Sequence, residues 1–396
     1  MDQIMNGSEA MARAAELSGV KAAPIFPITP QTTVIEELSK GGKVETFRGN
    51  SEYQVMSLAS GMAWAGTRVF AVTSSQGLII MGELMWETVG NRLPIVMGIF
   101  GRALKGPGWA LGPQQNDSLM MRDTGWLIFY LETAQEILDF IIIAYKIAEQ
   151  IRLPVMVCGD GFFLSHTKEV ISVPDETLVT GFLPESPPTE GLPDVDAPVT
   201  YAPLVTPSEY SNFYQGIHNL IDSLPEGQLE PIFDEFEERF GRRYRLVETF
   251  GADDAEIVIV ATSAIVGTVR AFLNNNCDKY PHVRLVKLRS LRPFPVAELV
   301  EAIGDASKIV VIDRNLSPGE GGIFASETMG AIHRAGVSNI PAIYSVVAGL
   351  GGEPFTAEEV KEVIEIAETT DRPEKVYFIH QATRQEADSE VVQQST

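Results

Sequence analysis

The chain has 396 residues, more than the roughly 100–200 of a single domain, so two or three domains are expected. Hydrophobic residues make up 45% and charged residues 21%, which excludes wholesale disorder, and a formal charge of -23 repels phosphate backbones and argues against nucleic-acid binding. No uncharged apolar run reaches the roughly 18 residues of a membrane span, and MDQIMNGSEA lacks a basic segment followed by an apolar one, so a soluble, unexported, cytoplasmic protein is expected.

SEAMARAAELSG reads as a helix ending at Gly19 in a left-handed cap. PIFPITPQT (24–32) follows, with three prolines and two threonines in nine residues, a stiff turn close to the start. GNSEYQVMSLASGMAWAG places Glu52 ahead of a helix rich in small residues and methionine. Continuously apolar runs at 68–74, 94–100 and 153–159 suit parallel strands covered on both faces, with a helix over 134–151 before the last. Residues 172–206 are proline-rich and read as a connection. Thr206-Pro207-Ser208-Glu209 is a capping box with proline at the first helical position, opening a helix through YSNFYQGIHNLIDSL.

From about residue 252 strands and helices alternate regularly: EIVIVAT, VRLVKL, KIVVID and PAIYSVV interleave with AIVGTVRAFLNNN, PVAELVEAIG, ASETMGAIHRAG and AEEVKEVIEIAE. That is a doubly wound α/β pattern. The division expected is 1–171 as a first α/β domain, 172–251 as a connection and helical segment completing it, 252–380 as a second α/β domain, and 381–396 as a frayed polar tail.

Individual motifs leave alternatives open. GEGG (319–322), between a strand and a helix, suits either an anion-binding turn or a tight turn alone. Asp160 in GDG lacks the asparagine some 25–30 residues later that an oxygen-ligated metal–diphosphate site requires, and reads as a turn residue. The basic island Arg239, Arg242, Arg243 and Arg245 follows the acidic DEFEE and reads as a solvated face or a docking patch. Cys158 and Cys277 are too few for a four-cysteine cluster, the five histidines lack metal-ligand spacing, and no metal site is expected. Glu52 alone suits dipole capping at a helix start, whereas Arg102, at a strand's carboxyl end, stands where α/β sheets bind ligands or forms a surface ion pair.

Taken in order, NGSEA, FPITP, NSEYQ, TSSQGL, GRAL, RDTGW, QEILD, LPVMVCGDGFFLSH and RSLRPFP make the chain resemble the alpha subunit of the 2-oxoacid:acceptor (pyruvate:ferredoxin) oxidoreductases. The resemblance implies an α/β fold: a pyrimidine-type thiamine diphosphate-binding doubly wound domain, then a transketolase C-terminal-like α/β domain. It implies a cofactor shared with a beta subunit, which holds the diphosphate and Mg2+. Iron–sulfur clusters of the [4Fe-4S] type lie on other subunits, coenzyme A is a co-substrate, and gamma, ferredoxin-like delta and flavoprotein subunits are further partners.

Carried over, Glu52 contacts the aminopyrimidine and promotes its imino form, with Pro27, Ile28 and Gln76 beside the cofactor. Thr29 and Arg102 meet the 2-oxoacid, Arg102 at its carboxylate. The reaction implied is oxidative decarboxylation to acyl-CoA and CO2. One departure follows GRAL: KGPGWALGPQQNDS puts Trp109, Gln114 and Gln115 where pyruvate-type members carry a polar Asp-His loop. A less polar pocket and an arylglyoxylate such as phenylglyoxylate are therefore expected, with pyruvate as the alternative. A non-catalytic scaffolding subunit and a transketolase-like carboligase are the competing classes.

Overall fold

The computed structural model describes residues 1–185, 187, 196, 198, 200, 203–373 and 375–380. Most of the proline-rich stretch between 186 and 202, and the tail expected to fray after His380, lie outside the described residues. The chain forms two compact units: Met1–Arg102, Asp117–Leu246 and Arg289–Pro295 make the first, and Ala103–Asn116, Val247–Leu288 and the residues from Val296 onward make the second. Three short segments thus cross the expected boundaries, 103–116 and 247–251 into the second unit and 289–295 into the first.

The first unit is built on a five-stranded sheet in the order Ser290–Arg292, Leu127–Tyr130, Val155–Asp160, Val96–Gly101, Phe70–Thr73. All neighbours are parallel except Ser290–Arg292, which pairs antiparallel with Leu127–Tyr130. The three apolar runs read from the sequence become strands buried on both faces. A parallel pair, Ala22–Ile25 with Glu45–Arg48, is linked to the strand-leading Val69 by a bridge from Ala22. Asp2–Asn6 pairs antiparallel with Lys168–Ser172.

The helix Ala134–Ile151 starts at Thr133, whose side chain accepts from the Glu136 N–H, and is buried along most of its length. It also carries charge inward. Asp139 accepts from Arg242 at 2.6 and 2.8 Å and from the Tyr244 hydroxyl at 2.6 Å, while Glu136 Oε1 accepts from the fully buried Arg289 at 2.9 Å. The basic island therefore divides. Arg239 pairs with Glu235 within the helix Glu230–Phe240 and Arg245 reaches back to Asp234 on it, whereas Arg242 turns into the unit and fastens the chain after Phe240 to the central helix.

The second unit carries a six-stranded sheet, ordered Tyr377–Ile379, Ala342–Ala348, Lys308–Asp313, Ile257–Ala261, Val283–Leu288, Val247–Gly251. The inner strands are the four expected ones and run parallel; the last, antiparallel, closes one edge. A core of β-branched and aromatic side chains, among them Ile259, Val310, Tyr344 and Phe355, lies between this sheet and helices such as Ala264–Asn275 and Ala357–Thr369.

Candidate active site

The carboxyl ends of Phe70–Thr73 and Val96–Gly101 are adjacent in the first sheet, and the residues after each converge there. Leaving Thr73, the chain turns through Ser74 and Ser75 into the helix Gln76–Gly90. Ser75 sits at φ 52, ψ -127, a conformation that costs a residue with a Cβ about 1–3 kcal/mol and persists only where its surroundings enforce it. The enforcing group is Asp117. Its fully buried carboxylate accepts from the N–H groups of Ser75 at 2.8 Å, Arg102 at 3.1 Å and Ser118 at 2.8 Å. Burial pushes this carboxyl up to about 6 against the pull of those donors. Asp117 escapes a sequence reading, because QQNDS gives no sign of which side chain points inward.

Arg102, also buried, donates from Nη1 to the Thr29 carbonyl at 2.8 Å and from Nη2 to Gln76 Oε1 at 2.7 Å, an oxygen that also accepts from the Ser75 hydroxyl at 2.7 Å. Its guanidinium therefore joins the FPITP turn to the TSSQ turn. Burial pulls its pKa down, and the negative charges of Asp117 and Glu52 oppose that pull. The Thr29 side chain is exposed, as is Pro27, with Ile28 half-buried. Beneath them Gln31 is fully buried, its amide donating to the carbonyls of Thr73 at 3.0 Å and Gly98 at 3.3 Å, which anchors the turn on the sheet.

Glu52 is the first residue of the helix Glu52–Trp64, capped by the Ser51 side chain. Its carboxylate is buried, makes no hydrogen bond among the described residues, and lies against Gly77, where an added Cβ would stand 2.8 Å from Oε1 and 2.4 Å from Thr73 Oγ1. Among the described residues, Thr73 Oγ1 and Gln76 Nε2 are buried without a hydrogen-bond partner. Two buried polar atoms without partners, near a carboxylate that makes no hydrogen bond among the described residues, are a costly arrangement for a purely structural region. Dipole capping alone does not account for a carboxylate held in this way.

The other expected site residues belong to the second unit. Gln115, 2% exposed, donates to Thr262 Oγ1 at 3.0 Å and accepts from Asn315 at 3.3 Å. Gln114 accepts from the Gly351 N–H at 3.1 Å and donates to Asn116 at 2.7 Å. These amides, expected at a substrate pocket, hold their own segment within its unit. Trp109 is 67% exposed, with the Lys105 ammonium 4.9 Å from the centre of its ring.

GEGG, the open question of the second unit, leads into the helix Ile323–Arg334, whose amides are already taken. Buried Asp313 accepts from Phe324 and Ala325, Asn315 Oδ1 from Ile323, and Ser345 Oγ from Gly322. A Cβ on Gly322 would stand 2.0 Å from Asp313 Oδ2, so the glycine lets a carboxylate of the chain itself occupy the place of an anion.

Residues 13–230 match the profile described as pyruvate flavodoxin/ferredoxin oxidoreductase, thiamine diphosphate-binding, and residues 255–360 match pyruvate:ferredoxin oxidoreductase core domain II. The chain belongs to this family. Among its relatives, a pyruvate synthase subunit PorA from Methanothermobacter thermautotrophicus is 37% identical over 377 residues, covering 93% of this chain and 96% of that one. A ketoisovalerate oxidoreductase subunit VorA from Pyrococcus horikoshii is 36% identical over 369 residues, covering 92% and 93%. Among solved structures, a 2-oxoglutarate:ferredoxin oxidoreductase from Magnetococcus marinus, with 2-oxoglutarate, coenzyme A and succinyl-CoA bound, aligns with a TM-score of 0.69 at 19% identity. The match covers 92% of this chain and 65% of that longer one, so the chain spans less than two thirds of that protein. A split-gene transketolase, described as an inactive beta4 tetramer, aligns with a TM-score of 0.54 at 15% identity, covering 93% and 99%. The fold is therefore a thiamine diphosphate-binding α/β domain followed by a transketolase C-terminal-like one, in a subunit of a 2-oxoacid oxidoreductase that is catalytic within its complex.

Proposed function

We propose that this chain is the alpha subunit of a thiamine diphosphate-dependent 2-oxoacid:acceptor oxidoreductase, contributing the acid and the substrate-facing turn of an active site that a beta subunit completes. The observation that carries the reading is Glu52, a buried residue whose carboxylate makes no hydrogen bond among the described residues, resting on Gly77 beside the unpaired Thr73 hydroxyl. These residues fit the pyrimidine half of the cofactor, which would satisfy polar groups that the described chain leaves unpaired. When bound, thiamine diphosphate supplies the electron sink for the pair released as the 2-oxoacid loses CO2.

Glu52 would hold the aminopyrimidine ring through its carboxylate and serve as its proton-transfer partner. Gln76 Nε2, a buried donor without a partner among the described residues, and Pro27 and Ile28 would line the cofactor. Thr29 presents its hydroxyl to the substrate's oxygens. Arg102, held from two sides by Thr29 and Gln76, sets a positive charge for the substrate carboxylate. Coenzyme A is the acyl acceptor. Two cysteines cannot ligate a four-iron cluster, so the electrons leave through clusters on ferredoxin-like and other subunits, with Mg2+ on the beta subunit. No described helix is long and apolar enough to cross a membrane.

The substrate we propose is an aliphatic 2-oxoacid, in keeping with the pyruvate and ketoisovalerate enzymes among the relatives. The arylglyoxylate alternative loses the support of Gln114 and Gln115 and rests on the exposed indole of Trp109. In the purified complex, Glu52→Gln lowers 2-oxoacid turnover at least about a hundredfold with assembly intact. An assembled Glu52→Gln complex turning over at the wild-type rate ends the catalytic reading in favour of a scaffold. Faster turnover of phenylglyoxylate than of pyruvate or ketoisovalerate reverses the substrate assignment.

A further inference from the structure

We infer that Asp117 is a positioning residue of the 2-oxoacid site: its buried carboxylate fixes, through backbone N–H groups, the two turns that present Arg102 and Gln76. The inference rests on the functional reading above but concerns a residue to which that reading gives no part.

The geometry forms a closed ring. From Asp117 Oδ2 one hydrogen bond runs to the Ser75 N–H and another to the Arg102 N–H; the Ser75 hydroxyl reaches Gln76 Oε1, and the Arg102 guanidinium reaches the same oxygen. Two strand ends are thus joined twice, once by a carboxylate to their backbones and once by an amide to their side chains. Because Ser75 is strained, a neutral or absent side chain at 117 releases the turn towards ordinary dihedrals and carries Gln76 with it. At the other end, Arg102 loses the group that sets its backbone direction, while its guanidinium keeps Thr29 as a partner. The carboxylate itself is fully buried, so it acts through these two residues and not on substrate.

A double-mutant cycle in the assembled complex tests this. Asp117→Asn keeps the shape of the side chain and weakens acceptance from the three N–H donors. Its expected effect is a rise in KM for the 2-oxoacid of about tenfold or more with a smaller fall in kcat, the signature of lost substrate positioning. On an Arg102→Ala background the same substitution is expected to add less than about twofold, because the residue it acts through has gone. Full additivity, or an unchanged KM, overturns the inference. Should Asp117→Asn not assemble, Ser75→Gly is added, since glycine adopts φ 52 without strain; restored assembly takes the pair into the same cycle, and continued failure assigns Asp117 a purely structural role. Absence of 2-oxoacid turnover in the wild-type complex defeats the functional reading itself, whereas an active wild type matched by Asp117→Asn defeats the inference alone.

Discussion

Arg68 and Glu149 form a forked ion pair inside the first unit, Nε to Oε1 at 2.6 Å and Nη2 to Oε2 at 2.8 Å, with neither side chain more than 4% exposed. The same guanidinium donates to the carbonyls of Ser18, at the end of the first helix, and Pro184. One cation therefore gathers the first helix, the central helix and the start of the proline-rich connection. Removing one member strands the other charge in a dry interior, which typically costs about 3–5 kcal/mol. Arg68→Ala is expected to lower the denaturant midpoint accordingly. Pairing Arg68→Met with Glu149→Leu is expected to recover much of the loss, since no unpaired charge remains; equal instability of both variants would show that the carbonyl contacts dominate.

Gln115 offers a test that separates substrate choice from architecture. Gln115→Leu leaves Thr262 and Asn315 short of a buried partner, at a typical cost of about 1–3 kcal/mol. The expected outcome is a lower unfolding midpoint of the second unit and an unchanged ratio of kcat/KM for phenylglyoxylate over pyruvate. A shifted ratio at unchanged stability would return the residue to the substrate pocket.

Much of the fold was legible because it rests on local signals. The apolar runs at 94–100 and 153–159 and the helix over 134–151 could be read from periodicity alone, and the Thr206 capping box is present as written. What escaped was non-local. Nothing in RSLRPFP says that Ser290–Arg292 returns to the first sheet, and nothing in KGPGWALGPQQN says that its amides bind Thr262, Asn315 and Gly351. Edge strands such as Val247–Gly251 also lack the continuous burial that marks a central one. At the site, Glu52, Thr29 and Arg102 came forward through family likeness. Asp117 and Gln31 did not, because a side chain that bonds backbone atoms some forty residues away leaves no local pattern in the sequence.

Asp313 links pH to the stability of the second unit. Burial raises its carboxyl from the ordinary 3.8 to about 7, more than the donors from Phe324, Asn315 and Ala325 lower it. A folded-state pKa above the unfolded one means that the native unit takes up a proton as pH falls between these values. Its contribution to stability is fully present below about 4 and is lost as pH rises through about 7. Asp313→Asn removes that dependence. The difference in unfolding free energy between wild type and variant is expected to slope between pH 4 and 7, and a difference that stays flat across that range contradicts the assignment.

Gly77→Ala sets local propensity against the site. Within a helix, alanine in place of glycine ordinarily adds about 0.5–1 kcal/mol of stability. At Gly77, in the first turn of Gln76–Gly90, the new methyl would lie 2.4 Å from Thr73 Oγ1, 2.8 Å from Glu52 Oε1 and 2.9 Å from Glu52 Cγ. Thr73 is fixed at a strand end, so Glu52, at the mouth of its own helix, is the side chain that moves. A displacement of about an ångström at a reacting group costs on the order of a hundredfold in rate. The variant is therefore expected to forfeit the helical gain to overpacking, which typically costs about 1–3 kcal/mol, and, once assembled, to lose about two orders of magnitude in 2-oxoacid turnover and to bind thiamine diphosphate more weakly. Full turnover with alanine at this position would mean that the Glu52 carboxylate does not need the place it holds against Gly77, and the assignment of its role would fall with it.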